Sequence, residues 1–544
     1  MIDRSRGNNP RRGANPFQRA AWRGVLLLLP FLIAVHTGTI GLDFGNHWDE
    51  RLQCRLVART VKSGVLVPGV YNYPMIPYWL TVAALGPRLF GPLFEAKDLM
   101  ADLNDVKTLD LDTDELQKFV LQDQGYFLRV RLIFLVISSL ASIWIYLLVL
   151  VWRRHAGEAF LAAAFLAFSW EASYHARWIA PDQVMTSFAA LTMLLVTLAQ
   201  VTGGRKLWLY GAAVAAGLAT ATKYQAGLLL LPLLLVTYQT RDRTAGRGRT
   251  VGVTASVLGF FALTFLLVTP GAYLDTRRFV SWLAMVVVHY TKGGHDGYDV
   301  PAGTAELWKI LVYLGSDYFS FFLPVALLIT SLVVLGIWAF FRESRRKTVV
   351  FLCVPFLYLA YMSRQNVLIV RNLLLVGPFL AVAAARGARF ALVWIRTRTL
   401  RAAFAVLLGA VLLANLGWLY QAAWSIPRDT PTRNLRELAR YVARQPPHRV
   451  YASGAVRGWL RNLRLDSPRL ADRPEDASEL AFYPDDWEWF STRRSNLPRF
   501  AHTWFGPFEV NWNYYTNWAG SNRILLVSTR RANAEGVHLK ESPP

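Results

Sequence analysis

The chain of 544 residues is 54% hydrophobic and 13% aromatic, with only 17% charged residues, a composition that excludes a string of ordinary soluble domains. Its net charge of +23 would suit nucleic-acid binding, but the basic residues fall in short segments between apolar runs, as membrane topology requires, and no nucleic-acid partner is expected. Cys54 and Cys353 are the only cysteines, so a cysteine metal site is excluded and a structural disulfide is not expected.

Apolar runs recur at 24–42, 127–151, 157–171, 183–201, 207–221, 225–239, 252–269, 319–341, 348–362, 371–391 and 402–420. These predict about 11 membrane helices of roughly 15–25 residues each. Arginines 4, 6, 11, 12 and 19 precede the first run, and residues 1–23 read as a basic cytoplasmic N-terminus. Arg153-Arg154, Arg205-Lys206, Arg241 to Arg249, Arg342 to Lys347 and Arg396 to Arg401 fill every second loop, which assigns those loops to the cytoplasm. The first run also has the basic leader and apolar core of a signal peptide. No clear small-x-small cleavage site follows it, so it reads as a retained span. An odd number of spans places residues 421–544 on the outer side.

The first outer loop, 43–125, is too long to be a mere connector. It opens with His47-Trp48-Asp49-Glu50. Residues 49–61 predict a short amphipathic helix. Met75 to Phe90 is apolar but interrupted by Pro77 and Pro87, which suits a helix lying on or dipping into the membrane surface. Acidic residues at a membrane edge mark function, and an oriented, partly desolvated aspartate can act as general base towards a hydroxyl. Asp49-Glu50 is also what a helix N-terminus favours through its dipole, and the two readings stay open. Asp110, Asp112, Asp114 and Glu115 mimic a calcium loop, but the central glycine and the twelfth position do not fit.

Further along, Asp182 opens the fourth run as a candidate site residue or an N-cap, with His175 and Arg177 in the same short outer loop. Lys223-Tyr224 lies at the outer junction of two runs. Its lysine could hold a phosphate as a point charge or snorkel to the interface. Arg364 and Arg371 precede and open the tenth run, and Arg129 and Arg131 open the second. Basic residues on the outer side run against the topological trend and invite an anionic partner. A second long outer loop, 270–306, carries His289, Tyr290, Lys292, His295, Asp296, Tyr298 and Asp299, the composition of a lid or binding loop. The tail changes character. Arg433 to Ala443 has helical periodicity, 448–452 and 524–528 read as strands, and a small α/β domain is expected. Aromatic stretches at 487–490 and 504–518 suit sugar recognition, interface anchoring or a core.

The ordered set of Asp49-Glu50, Tyr71-Asn72-Tyr73-Pro74, Arg177 to Asp182, Gly217 to Tyr224, and Arg371 to Pro378 followed by Gly387 resembles the GT-C superfamily of polyprenyl-phosphate-sugar-dependent glycosyltransferases. The likeness is to its protein O-mannosyltransferase and lipid A aminoarabinose transferase branch. The family's His-Pro-Pro-like segment appears here as Tyr73-Pro74-Met75-Ile76-Pro77, and the Trp-Trp-Asp-Tyr-Gly motif of oligosaccharyltransferases is absent.

The resemblance implies an all-α polytopic domain over 24–420, GT-C-like, with long outer loops 43–125 and 270–306, followed by an extracytoplasmic α/β domain over 421–544. It implies inverting transfer with Asp49 as base, and Asp182 in the same cavity. Glu50 or His47 would orient Asp49 or the acceptor, and Lys223, Arg371 and Arg364 would stabilise the departing phosphate, with Tyr73, Tyr224, His175 and Arg177 as further substrate-binding candidates. The donor would be a polyprenyl-phosphate-linked sugar, the acceptor a protein, glycolipid or polysaccharide, and the setting the lipids of a bacterial inner membrane. A divalent cation near Asp49 and Asp182 is compatible with the carboxylates but not required. The rival reading is a transporter or flippase, for which polar, broken helices near mid-membrane and paired repeats are expected.

Overall fold

A computed structural model of the chain describes residues 16–42, 48–63, 67–84, 124–240, 247–293, 299–320, 322–425, 431–462, 464–482, 501–505 and 524–530. The first half of the helical part contains α1 (Pro16–Thr39), α2 (Trp48–Ser63), α3 (Ile76–Ala83), α4 (Gln124–Arg153), α5 (Ala156–Ala167), α6 (Trp170–Ala176), α7 (Pro181–Val201) and α8 (Lys206–Thr220). A tight 3-10 turn, Tyr224–Leu229, then leads into α9 (Leu230–Gln239) and α10 (Arg247–Val268). The second half contains α11 (Gly271–Leu274), α12 (Thr276–Lys292), α13 (Thr304–Ser316), α14 (Leu323–Glu343) and α15 (Arg345–Met362). A second 3-10 turn, Val370–Val376, leads into α16 (Gly377–Trp394), and α17 (Arg398–Ser425) completes the set.

All eleven apolar runs are largely helical, and the membrane domain is all-α. Among the described residues, seven segments are long and apolar enough to cross a membrane: Ala20–Thr39, Leu128–Arg153, Pro181–Val201, Thr250–Val268, Leu323–Glu343, Val370–Trp394 and Arg398–Trp424. The other runs give shorter or more basic helices. The 157–171 run stops at Ala167 and resumes as α6. At 1.5 Å per residue such a helix rises about 18 Å, short of a roughly 30 Å hydrocarbon core. Its Ala159, Ala162, Ala163 and Ala164 are fully buried, so α5 is packed inside the bundle rather than against lipid.

Both 3-10 turns have a local cause. Pro232 and Pro378 follow them, and a proline offers no N–H to continue the ordinary helical ladder. The chain tightens to i→i+3 bonding just before each. Lys223 and Arg371 sit at the starts of these turns.

Helices α14 and α16 cross through glycine. A Cβ on Gly336 would strike the Ala383 carbonyl, and one on Gly387 the Leu332 carbonyl. The small-xxx-small spacing of Ala383 and Gly387 permits this backbone approach. At the end of the bundle away from Asp182, Glu343 pairs with both Arg153 and Arg386. Glu158 adds contacts to the same two arginines at 3.5 and 3.8 Å, so the buried charges there are mutually compensated.

The first long loop holds the two helices expected in it, and the second holds more structure than expected. The 49–61 reading matches α2. Helix α3 differs from the surface helix expected over 75–90: Ile76, Pro77, Tyr78, Thr81 and Val82 are buried, and the Trp79 indole N–H donates to the Val268 carbonyl at 2.8 Å. It packs with α2, Tyr126, Val130, Phe134 and Phe279 in a second apolar core. The 270–306 loop is mainly helical, as α11, α12 and α13. The signal was in the sequence: Phe279, Trp282, Leu283, Val286, Val287 and Tyr290 recur with helical period.

The tail forms α18 (Pro431–Arg444), β1 (Val450–Ala452), α19 (Gly454–Asn462), β2 (Glu479–Phe482), β3 (Ala501–Phe505) and β4 (Ile524–Ser528). The sheet order is β1-β2-β4-β3, with β1 parallel to β2 and the other pairs antiparallel. The helix over 433–443 and the two expected strands are found, whereas α19, β2 and β3 are additional. His47, Asp110 to Glu115, His295, Asp296, Tyr298 and most of the aromatic stretches at 487–490 and 504–518 lie outside the described residues.

Replacing Gly387 with leucine forces α14 and α16 apart. The expected cost is roughly 2 kcal/mol or more, measurable as a lower melting temperature of the detergent-purified protein. The Gly409→Leu control sits where a Cβ meets nothing within 4 Å and should melt like wild type.

Candidate active site

Asp49 and Glu50 lie in the first turn of α2, so the helix-dipole reading holds for both. Their paths then diverge, because consecutive helical residues point about 100° apart. Asp49 faces a cavity of about 650 Å³. Glu50 turns into the protein. Its carboxylate takes a bidentate contact from Arg131 at 2.7 and 2.9 Å and accepts the Ile179 N–H at 3.0 Å. Glu50 and Arg131 are each 1% exposed. Arg131 also donates to the Leu42 carbonyl at 2.6 Å, and its guanidinium lies 4.8 Å from the Trp178 ring centre. Glu50 therefore staples α2 to α4 and to the α6–α7 turn and is not positioned as a support for Asp49. Nor does Arg131 await an anionic partner, since its partner is Glu50. Arg129 likewise donates to the Ala84 carbonyl at 3.1 Å.

Asp49 is held from two other sides. Arg371 contacts Oδ2 at 2.8 Å, and the Tyr73 hydroxyl donates to Oδ1 at 3.2 Å. Burial pushes the Asp49 carboxyl above its ordinary range, against the pull of the Arg371 guanidinium. That combination suits a group that must accept a proton.

Asp182 is fully buried at the start of α7. Its Oδ1 receives the Lys223 ammonium at 2.5 Å, and Oδ2 lies 3.9 Å from Arg371 Nε. Lys223 does not snorkel: it is buried and makes a further 2.5 Å contact to Asn372 Oδ1. The Asn372 amide then donates to the Tyr290 hydroxyl on α12 at 3.2 Å, and its carbonyl accepts Tyr358 OH at 2.8 Å. Asp49, Tyr73, Lys223, Tyr224, Tyr290 and Arg371 are among the polar residues that line the cavity, and Asp182 is not part of its lining. Leu228, Leu283, Val286, Val287 and Ile369 add apolar surface to it.

Four expected participants do not reach this cavity. His175 contacts Glu171 one turn earlier in α6, at 3.3 Å. Arg177 donates to the Thr37 and Ile40 carbonyls at 3.2 and 3.1 Å and anchors the end of α1. Arg364 is exposed, and Glu50 is engaged as described. Conversely, Asn372 was not singled out in the sequence, whereas Tyr290 lies in the stretch read as a lid or binding loop and reaches the cavity from a helix. Asn372 has no local signal beyond following Arg371, because its role depends on Lys223 and Tyr290, remote in sequence. The donor set does not favour the divalent cation. Both carboxylates already face cations, and the described residues contain no cluster of three or more His, Cys, Asp or Glu suited to a metal.

Residues 124–273 match the family described as dolichyl-phosphate-mannose-protein mannosyltransferase. This bears out the resemblance read from the sequence. A comparison with curated proteins finds no match. Among solved structures, the chain is similar to ArnT from Cupriavidus metallidurans bound to undecaprenyl phosphate, at 13% identity and a TM-score of 0.48, over 86% of this chain and 94% of that one. It is also similar to the oligosaccharyltransferase AglB from Archaeoglobus fulgidus in complex with an inhibitory peptide and a dolichol-phosphate. That likeness has 11% identity and a TM-score of 0.48, over 87% of this chain and 70% of that one.

Glu50→Gln removes the buried carboxylate charge that holds Arg131 by two contacts and should cost about 3 kcal/mol. The paired apolar replacement Glu50→Met with Arg131→Met should recover most of that loss in a thermal melt. A catalytic role for the Glu50 carboxylate predicts instead that the double variant stays inactive at wild-type stability.

Proposed function

We propose that this chain is a membrane glycosyltransferase that moves a sugar from a polyprenyl-phosphate carrier to an acceptor hydroxyl on the outer, periplasmic face of a bacterial inner membrane. The observation that carries this reading is the mixed lining of the cavity. Asp49 and the buried cations Lys223 and Arg371 share it with Leu228, Ile369 and aliphatic side chains of α12. A lipid phosphate sugar presents the same two chemistries, a charged head and an apolar chain. The family match over 124–273 supports the same class of reaction. The acceptor class stays at protein, glycolipid or polysaccharide.

In this reaction the acceptor O–H loses its proton to Asp49. The oxygen attacks the anomeric carbon from the face opposite the phosphate, the carbon–phosphate-oxygen bond breaks, and polyprenyl phosphate leaves with that electron pair. A phosphate is a weak base and leaves without a general acid. It needs preorganised positive charge, which Lys223 and Arg371 supply. Asp182 is a positioning residue that holds both cations from outside the cavity lining. The Asp49–Arg371 contact couples the two halves of the reaction. As Asp49 takes up a proton, its hold on Arg371 falls, and the guanidinium turns its charge to the departing phosphate. The membrane confines the donor to two dimensions, which supplies proximity.

Asp49→Asn should lower turnover by about 10²–10⁴-fold while donor binding persists. The measurement is release of polyprenyl phosphate from a sugar-charged carrier in the presence of acceptor, and turnover within a few-fold of wild type would remove Asp49 as base. Lys223→Ala should cost about 10²-fold in donor use, and unchanged donor kinetics would take Lys223 out of the site.

The pH profile carries a sign. Asp49 works deprotonated, and burial raises its proton affinity. Activity should therefore fall on the acid side at a pH above the ordinary carboxylate range. An acid limb at the usual aspartate value would contradict the assignment.

A further inference from the structure

We propose that one face of α18 is a docking surface for the phosphate headgroups of anionic membrane lipids, on the same side of the membrane as the candidate active site. This does not depend on the glycosyltransferase reading. Helix α18 has the sequence PTRNLRELARYVAR. Leu435, Leu438 and Val442 are buried in the core of the tail. Arg436, Arg440 and Arg444 are exposed, and their spacing of four places them in one row. That row points away from the buried residues: at about 100° per residue, positions 436, 440 and 444 fall at about 0°, 40° and 80°, and positions 435, 438 and 442 at about 200–260°.

Three other arginines of the tail are paired with carboxylates. Arg457 contacts Asp472 at 3.1 Å, Arg461 contacts Asp466 at 3.0 Å, and Arg449 contacts Glu479 at 2.9 Å. Among the described residues, Arg436, Arg440 and Arg444 form no ion pair with a carboxylate, and Glu437 is the single acidic residue of the helix. Exposed Arg469 extends the basic surface past the end of the helix, where its guanidinium donates to the Gln445 carbonyl at 3.0 Å.

Position along the chain supplies the partner. Helix α16 starts at the end of the bundle that holds Arg371, and α17 runs back towards that end. Pro431 follows Ser425, the last residue of α17, after five intervening residues, which span at most about 20 Å. A basic helix face tethered this close to a bilayer meets anionic headgroups at high local concentration. Each arginine near such a surface attracts it, within a Debye length.

The test uses the full chain in nanodiscs of phosphatidylcholine alone or mixed with phosphatidylglycerol, with a photo-crosslinking amino acid at exposed Ala443 between the arginines. The expected result is a crosslink to lipid that is about tenfold stronger with phosphatidylglycerol and fades at high salt. The triple variant R436Q/R440Q/R444Q should abolish the lipid dependence without changing the thermal melt, since all three side chains are exposed. Equal crosslinking in both lipids, or an unchanged triple variant, overturns the proposal. So does a crosslink that goes to protein instead of lipid. Inorganic phosphate that competes far better than chloride at equal ionic strength would show a site for the free ion, and would overturn the lipid assignment as well.

Discussion

Three buried ion pairs organise this protein: Glu50 with Arg131, Asp49 with Arg371, and Asp182 with Lys223. A charge deep in a low-dielectric interior persists only with a partner. Each pair therefore fixes two segments at once. Glu50–Arg131 sets α2 against α4, Asp49–Arg371 sets α2 against the start of α16, and Asp182–Lys223 sets α7 against the turn before α9. Together they draw the segment between α1 and α4 onto the ends of the membrane helices, and two of them bring Asp49, Lys223 and Arg371 to the cavity.

Helix α12 also lines the cavity. Its aromatic face meets Tyr71 and Tyr224 through Phe279, the Trp282 indole reaches the Gly69 carbonyl, and Asn372 joins Tyr290 to Lys223. A single amide thus links α12 to the Lys223 cation. The contact from Asn366 N to the Tyr290 carbonyl holds the same end of α12. Helix α12 is in this way registered against the charges of the site.

Local patterns in the sequence carried much of this. The apolar runs, the amphipathic stretch of α2, the helix of α18 and two of the strands were legible because each depends on periodicity within a few turns. Asp49, Lys223, Tyr224 and Arg371 were legible as candidates because polar groups at a membrane edge are conspicuous against an apolar background, whereas Tyr73 entered only through the family resemblance. Helix α12 was read as loop because His289, Tyr290 and Lys292 drew attention to its polar end, although its apolar positions repeat at helical spacing. Helix α3 was read as a surface element because its composition suits an interface, whereas its burial depends on partners in α10 and α4.

The sequence by itself determined that this is a polytopic helical membrane protein and which charges stand at the ends of its helices. It also fixed that Asp49 and Glu50 begin a helix. Only the tertiary structure decided that the two neighbours do opposite things. The rotation of about 100° per helical residue sends Asp49 towards Arg371 and the cavity, and Glu50 towards Arg131 and the core. Which cation each carboxylate meets is settled by helices whose contacts join residues far apart in the chain. No local pattern encodes that choice; it follows from the requirement that every buried charge find its counter-charge when the bundle closes.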